Sequence, residues 1–274
     1  MKIFIDSANI DEIKEAISWG IVDGVTTNPS LIKKAVEYFK NQGISFTMEE
    51  YIEKLLKVAG KGRWVSLEVI GNTEDDMLGE AETLFAKFNN ISNNVIIKIP
   101  VNPEIEENGT KHFDGLKVIK KLKEKNIPVN CTLIMSSNQA LLAAKAGAKY
   151  VSPFAGRIDD FLRKKIGMTF EKEDYYPEEG LVVDEKVLND DGIVSGVDLV
   201  ASIKEILDNF NFDTEIIAAS VRNARQVREL AEVGVHIATI PFSVIKDMVK
   251  HPKTFEGMIN FMKDTIPEYR EIFK

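Results

Sequence analysis

The stretch Val95-Ile-Ile-Lys-Ile-Pro100 places a single lysine, Lys98, inside a run whose other residues are apolar. Apolar residues on both faces of a short run rich in Val and Ile predict a strand buried in a parallel sheet. Burial disfavours the charged form of a lysine, and a neutral amine can attack a carbonyl group. The alternative is a lysine at a strand end whose ammonium reaches water along its flexible stem. This stretch alone favours neither interpretation.

Length and composition predict an ordinary globular protein. The chain has 274 residues, enough for one barrel-sized domain or two small ones, and a formal net charge of −8 that disfavours nucleic acid and anionic membranes as partners. The N-terminal Met1-Lys-Ile-Phe-Ile-Asp6 has no signal-peptide core, and Cys131 is the only cysteine. We therefore expect a cytoplasmic protein in which local clusters of basic residues are sites for small anions.

Eight short apolar runs recur, each followed by a helical pattern. Their ends lie roughly 33 residues apart, about the length of one strand–helix–strand unit. This alternation predicts an α/β protein whose residues 1–274 form a single (β/α)8 TIM barrel domain. A doubly wound open sheet is the alternative, but it would need a glycine-rich turn after the first strand, which Asp6-Ser-Ala-Asn9 lacks. The runs are Lys2–Asp6, Gly24–Thr27, Trp64–Val69, Val95–Pro100, Val129–Leu133, Tyr150–Pro153, Glu215–Ala219 and His236–Pro241.

Three stretches are longer than a minimal barrel needs. Residues 41–58 predict an extra helix, and the acidic residues 164–196 predict an inserted segment over the barrel mouth. Residues 251–274 have helical apolar spacing, so we expect a C-terminal helical tail that covers a barrel end or packs on a neighbouring subunit.

Polar residues stand at the C-terminal ends of nearly all these runs, where barrel enzymes build their sites. Some have simpler interpretations, since Asp6 could cap the first helix, and Asn28 before Pro29 looks like a helix N-cap. Glu68 has no such simple structural interpretation, because a strand rich in β-forming residues disfavours a carboxylate. Asn130 and Thr132 share a face, as do Ser66 and Glu68, and such a buried polar ladder would hold water. The candidate residues at these ends are Asp6, Asn28, Glu68, Lys98, Asn130, Thr132, Ser152, Ser220 and Arg222.

Arginines indicate a site for an anion. Ser220-Val-Arg-Asn-Ala-Arg225 would open a helix with two arginines in its first turn, where the helix dipole disfavours cations. An anion bound at that helix start would reverse the penalty, whereas the alternative is a solvent-facing arginine, which suits Arg225 better than Arg222. Arg157 offers a second cation at a neighbouring strand end. The sequence therefore predicts a phosphate-bearing substrate.

The sequence predicts neither a metal site nor a redox cofactor. The three histidines, His112, His236 and His251, lack ligand spacing, and no glycine-rich dinucleotide turn occurs. The remaining groups are an amine, carboxylates, ordered water and a phosphate site. They suit cleavage of a carbon–carbon bond through a Schiff base, in which the iminium accepts the electrons.

Five motifs in this order and spacing resemble the transaldolase family. They are Phe4-Ile-Asp-Ser-Ala-Asn9, Gly24-Val-Thr-Thr-Asn-Pro-Ser30, Ile97-Lys-Ile-Pro100, Ser152-Pro-Phe-Ala-Gly-Arg-Ile158 and Ala219-Ser-Val-Arg-Asn223. The resemblance covers residues 2–248, and it implies a class I aldolase-type barrel with its Schiff-base lysine on the fourth strand, where Lys98 falls. The family's oligomers imply a homo-oligomer, either a dimer or a pentamer-based ring.

The resemblance also implies a role for each matching residue. Lys98 would form the imine, Asp6 would move the hydroxyl proton beside the breaking bond, and Glu68 with Thr132 would hold a proton-shuttling water. The dihydroxyacetone unit would be bound by Asn28, Asn130 and Ser152. The phosphate of a sugar-phosphate substrate would be bound by Arg157, Ser220 and Arg222.

Two positions separate the transaldolases of this family from its fructose-6-phosphate aldolases. The resemblance implies that aldolases carry glutamine in place of Glu68 and tyrosine in place of Phe154. A tyrosine hydroxyl near the imine can support protonation of the carbanion, whereas a phenyl ring cannot donate a proton. We therefore expect transfer of dihydroxyacetone from a ketose phosphate, either sedoheptulose 7-phosphate or fructose 6-phosphate, to an aldose phosphate. The resemblance implies a place in the pentose phosphate pathway. The alternatives are a lyase that releases dihydroxyacetone and, more remotely, a barrel that binds sugar phosphates without reacting.

Overall fold

Eight parallel strands close into a barrel in a computed structural model that describes residues 1–274. The barrel strands are β1 (Lys2–Asp6), β2 (Gly24–Thr26), β3 (Trp64–Glu68), β4 (Val95–Pro100), β5 (Val129–Ile134), β6 (Tyr150–Pro153), β9 (Glu215–Ala218) and β10 (Ile237–Ile240). The order around the barrel is β1-β10-β9-β6-β5-β4-β3-β2, so the predicted (β/α)8 barrel is confirmed and the open doubly wound sheet is wrong. A small hairpin, β7 (Val182–Val183) and β8 (Lys186–Val187), lies outside the barrel.

Helices surround the barrel and bury its outer face. One large cluster of buried apolar residues fills the space between strands and helices. The helices are α1 (Ile10–Ser18), α2 (Pro29–Asn41), α3 (Met48–Ala59), α4 (Glu74–Ser92), α5 (Asp114–Glu124), α6 (Ser137–Ala146), α7 (Ala155–Lys165), α8 (Gly196–Asn209), α9 (Ala224–Glu232), α10 (Phe242–Asp247), α11 (Pro252–Lys263) and α12 (Pro267–Glu271).

The inside of the barrel has an apolar floor, formed by a separate cluster of buried side chains from five strands. Because side chains alternate along a strand, the residue two positions further points into the same interior, closer to the strand's C-terminal end. The floor residues are Phe4, Ile96, Tyr150, Ile217 and Ile237.

Polar residues follow four of the five floor residues at this spacing, and Ala219 follows Ile217. Asp6 comes two residues after Phe4, Lys98 after Ile96, Ser152 after Tyr150 and Thr239 after Ile237. The period-two pattern therefore places polar side chains together above an apolar floor, at the end of the barrel where the strands finish.

Gly24 makes room for the floor. A Cβ atom at Gly24 would lie 2.5 Å from the ring of Phe4, so only glycine fits beside this aromatic side chain.

The three predicted additions are present, and one boundary changes. The extra helix α3 begins at Met48, because α2 continues to Asn41 and residues 42–47 connect the two. The inserted segment runs from the end of α7 to the start of α8 and contains the β7–β8 hairpin. The C-terminal tail forms α11 and α12, neither of which buries a residue.

None of the helices is both long and apolar enough to cross a membrane.

Candidate active site

A cleft of about 350 Å³ opens at the mouth of the barrel, above the polar layer. It is lined by eight of the predicted site residues, Asp6, Asn28, Lys98, Ser152, Phe154, Arg157, Ser220 and Arg222. The other three, Glu68, Asn130 and Thr132, lie on β3 and β5, which flank the strand that carries Lys98. The structure thus brings all the sequence-derived candidates to one end of the barrel.

Lys98 is buried, with 5% of its surface exposed. Its Nζ lies 3.2 Å from Glu68 Oε2 and donates a hydrogen bond to the Thr27 carbonyl oxygen at 3.3 Å. The ring centroid of Phe154 is 5.9 Å from the same nitrogen. The lysine therefore does not reach for bulk water, and it has a neighbouring carboxylate that can take up its proton.

A chain of hydrogen bonds crosses the barrel beside Lys98. The Ser152 hydroxyl donates to Asn130 Oδ1 at 2.8 Å, and Asn130 Nδ2 donates to Ser66 Oγ at 3.4 Å. This chain fixes the side chain of Ser152, which lines the cleft. Ser66 is the face-sharing partner of Glu68 that the alternation predicts.

Thr132 Oγ1 and Glu68 Oε2 are buried and make no hydrogen bond within the protein. The Lys98 ammonium compensates the carboxylate oxygen, whereas the hydroxyl has no partner of any kind. A buried polar atom without a partner costs about 1–3 kcal/mol, so an exchangeable water is the natural partner of this hydroxyl.

Asp6 is held by Thr26, which in turn contacts Thr239, and the sequence pattern singled out neither threonine. The Thr26 hydroxyl donates to Asp6 Oδ1 at 2.9 Å and also contacts the Thr239 hydroxyl. Because Thr26 has only one proton to donate, Thr239 must donate to Thr26. Burial raises the pKa of the Asp6 carboxyl, and the nearby Lys98 cation and the Thr26 hydrogen bond offset part of that rise.

Two capping interpretations are resolved by the structure. Asp6 does not cap α1, because Asn9 does so by accepting a hydrogen bond from Asp11 N at 2.9 Å. Asn28 does cap α2, since its Oδ1 accepts from Leu31 N at 3.0 Å. The side chain of Asn28 also lines the cleft, so the cap leaves its amide nitrogen available for a substrate.

At the other end of the cleft, Arg222 forms an ion pair with Asp160 of α7 at 2.6 Å. Gly156 permits this arrangement, because a Cβ atom there would lie 2.2 Å from the Ser220 carbonyl oxygen and 2.3 Å from Arg222 Nε. Ser220 itself adopts a left-handed backbone conformation with φ of 61°. Strained backbone of this kind concentrates at functional sites.

Helix α9 begins later than predicted. The helix begins at Ala224 with Asn223 as its N-cap, so Arg222 precedes the helix and only Arg225 lies in the first turn. The anion that compensates Arg222 is Asp160, a protein carboxylate that the sequence pattern did not single out. Arg225 pairs with Glu229 and lies over the Tyr175 ring.

The family comparison agrees with this site. A profile described as Transaldolase/Fructose-6-phosphate aldolase matches residues 3–272. A probable transaldolase of Thermoplasma volcanium is 41% identical over 264 residues, which cover 96% of this chain and 95% of the relative. A probable transaldolase of Aquifex aeolicus is 39% identical over 270 residues, covering 98% of this chain and 99% of the relative. The chain therefore belongs to the transaldolase/fructose-6-phosphate aldolase family of Schiff-base-forming barrel enzymes.

Proposed function

We propose that the protein is a transaldolase that transfers a dihydroxyacetone unit between sugar phosphates through an imine on Lys98. The observation that carries this proposal is the buried Lys98 amine, 3.2 Å from the Glu68 carboxylate and at the base of a cleft shared with Asp6. The related proteins of Thermoplasma and Aquifex, named probable transaldolases, support it.

Imine formation would begin when Glu68 accepts a proton from the Lys98 ammonium and the resulting neutral amine attacks the ketose C2 carbonyl. A second proton would move from the nitrogen to the alkoxide to give the carbinolamine, and Glu68 would return its proton to the carbinolamine hydroxyl, which leaves as water to give the iminium. A water between Glu68 and the Thr132 hydroxyl would carry protons in this step and in the final hydrolysis. The unpartnered Thr132 hydroxyl supports this role.

Cleavage would require Asp6 as a carboxylate. It would accept the proton of the C4 hydroxyl, the C3–C4 bond would break, and the electron pair would move into the iminium to leave an enamine on Lys98. An aldose phosphate departs, and attack of the enamine on a second aldose phosphate reverses these steps. Asn28, Asn130 and Ser152 would bind the hydroxyls of the three-carbon unit that stays behind.

Arg157, Ser220 and Arg222 would bind the phosphate. All three line the same cleft as Lys98, and guanidinium groups match phosphate oxygens in charge and geometry. Asp160 would hold the Arg222 guanidinium in place between substrates, because its carboxylate already pairs with Arg222 in this structure.

The experiment that tests the proposed function follows glyceraldehyde 3-phosphate formation from fructose 6-phosphate, with and without erythrose 4-phosphate. A transaldolase forms sustained product only with the acceptor, because the enamine otherwise stays on the enzyme. Sustained formation without the acceptor would mean a fructose-6-phosphate aldolase.

Phe154→Tyr should raise acceptor-independent release of dihydroxyacetone by about tenfold or more, since a positioned proton donor contributes about 10²–10⁴-fold. The Phe154 ring already lies beside Lys98 Nζ, so a phenol there can support protonation of the enamine. Free dihydroxyacetone is measured with a coupled dehydrogenase. Phe161→Tyr, at an exposed position on the helix α7 that follows Phe154, serves as the control and should change nothing. An unchanged lyase rate in Phe154→Tyr would contradict the role of the phenyl ring.

We also propose a homo-oligomer, in which α11 packs on a neighbouring subunit. The stripe of Phe255, Met258, Ile259 and Met262 follows helical spacing, and all four side chains are exposed, Phe255 to 70%. Exposed apolar surface of this extent is typical of an interaction site. A cytoplasmic location remains a prediction from the sequence.

Phe255→Asp combined with Met262→Asp should convert the oligomer to a monomer, because two carboxylates would be buried without partners. Light scattering coupled to size-exclusion chromatography measures the mass. Asn260→Asp adds a carboxylate outside the stripe and should leave the oligomer intact. A wild-type protein that is itself monomeric at micromolar concentration would contradict the proposal.

A further inference from the structure

Some of the cationic side chains at the cleft are neutralised by a protein carboxylate and others are not. Lys98 pairs with Glu68, and Arg222 pairs with Asp160. Arg157, Lys34 and Lys172 also line the cleft, and none of the three takes part in an ion pair. A phosphate monoester carries a charge of about −1.5 to −2 at pH 7, which is more than Arg157 alone can neutralise. The cleft therefore needs a further free cation if it binds a sugar phosphate.

The inserted segment supplies one such cation. Lys172 lies in the connection between α7 and α8, outside the motifs that predict the site, yet its side chain lines the cleft with Asp6, Arg157 and Arg222. The positive charge of Lys172 lies close enough to Asp6 to stabilise its carboxylate, since Lys172 is among the groups that oppose the rise in the pKa of the Asp6 carboxyl.

Hydrogen bonds hold the backbone on the C-terminal side of Lys172 against the phosphate end of the cleft. Asn223, the N-cap of α9, donates from Nδ2 to the Glu173 carbonyl oxygen at 3.2 Å. The buried Arg163 of α7 donates to the Asp174 carbonyl oxygen at 2.9 Å, and Asp174 Oδ2 accepts from Glu171 N at 2.8 Å. These contacts fix the segment while the Lys172 side chain itself stays unpaired.

We propose that Lys172 is a specificity-determining residue that binds the substrate phosphate together with Arg157 and Arg222. This inference rests on the proposed function. It also gives the inserted segment a function, because the segment adds to the phosphate site a cation from outside the barrel strands. Lys34 of α2 also lines the cleft. Lys34→Met therefore provides an independent variant with which the Kd of phosphate in Lys172→Met can be compared.

The test measures the Kd of inorganic phosphate by calorimetry at low ionic strength, because surface charge interactions weaken in salt. Lys172→Met keeps the length of the side chain and removes its charge. It should raise the Kd about tenfold, the loss expected for one hydrogen bond to a charged group. Lys172→Arg should restore binding to within about threefold, since it keeps the cation. Lys186→Met removes an equivalent charge from the exposed hairpin of the same segment and should leave the Kd unchanged.

A second measurement separates this proposal from the proposed function. Borohydride reduction with unphosphorylated dihydroxyacetone should give the same adduct yield in wild type and in Lys172→Met, whereas the KM for fructose 6-phosphate should rise about tenfold in the variant. A Kd for phosphate that changes in Arg157→Met but not in Lys172→Met would overturn the role of Lys172. Absence of any wild-type adduct would overturn the imine mechanism, and the phosphate titration would still decide the role of Lys172.

Discussion

Replacing Lys98 by methionine is expected to lower kcat by about four orders of magnitude or more, the scale on which enzymes lose activity with their nucleophile. Methionine fills a similar volume but has no amine, so no imine can form and the C3–C4 bond has no electron sink. The measurement is formation of glyceraldehyde 3-phosphate from fructose 6-phosphate and erythrose 4-phosphate.

Loss of the Lys98 charge leaves Glu68 without its cation, and breaking such a buried pair can destabilise the fold by about 3–5 kcal/mol. The double variant Lys98→Met with Glu68→Gln removes both charges and should fold like the wild type while remaining inactive. Lys98→Arg, which keeps the cation without a nucleophilic amine, should also be inactive. Turnover within about tenfold of the wild type in a folded Lys98 variant would contradict the imine on this residue.

Asp6→Asn is expected to lower kcat about 10³-fold, within the range of about 10²–10⁴ for a general acid–base group. An amide cannot accept the C4 hydroxyl proton, so carbon–carbon bond cleavage slows. Imine formation does not need this step, and borohydride should therefore still trap an adduct of normal yield in the variant. Asp23→Asn, at the opposite end of the barrel, is the matched control.

The pH dependence of kcat/KM offers a second readout of Asp6. Burial raises the pKa of its carboxyl, and the reaction needs the carboxylate, so the rate should fall with decreasing pH at a higher pH than for an ordinary aspartate. Thr26→Val removes the hydrogen bond that favours the Asp6 carboxylate, so the fall in kcat/KM on the acidic side of the pH profile should move to a still higher pH. An acidic limb unaffected by Thr26→Val, or an Asp6→Asn variant that can no longer be trapped, would contradict the assignment.

Alternation of side chains explains why the barrel and its polar layer could be predicted. Every barrel strand appears in the sequence as a short apolar run, and β4 is predicted to the residue. The pairing of strands follows from the closed parallel order, which places Glu68 beside Lys98 and Lys98 beside Asn130 in register. The ends of the apolar runs, Lys98 among them, are therefore enough to locate the mouth of the barrel.

Contacts between distant elements account for what the sequence could not show. Thr239 stands at the end of the last strand, and the period-two pattern could have found it, but its link to Thr26 across 213 residues could not be read from spacing. Asp160 pairs with Arg222 only because Gly156 lets the arginine approach. Lys172 reaches the cleft because Asn223 and Arg163 anchor the segment that carries it.

The most direct test of the imine on Lys98 is reduction of the wild-type protein with borohydride in the presence of fructose 6-phosphate, followed by peptide mass analysis. We predict one three-carbon adduct, located on the peptide that contains Lys98 and absent from Lys98→Arg. An adduct on another lysine, or none in an active wild-type enzyme, would contradict this mechanism.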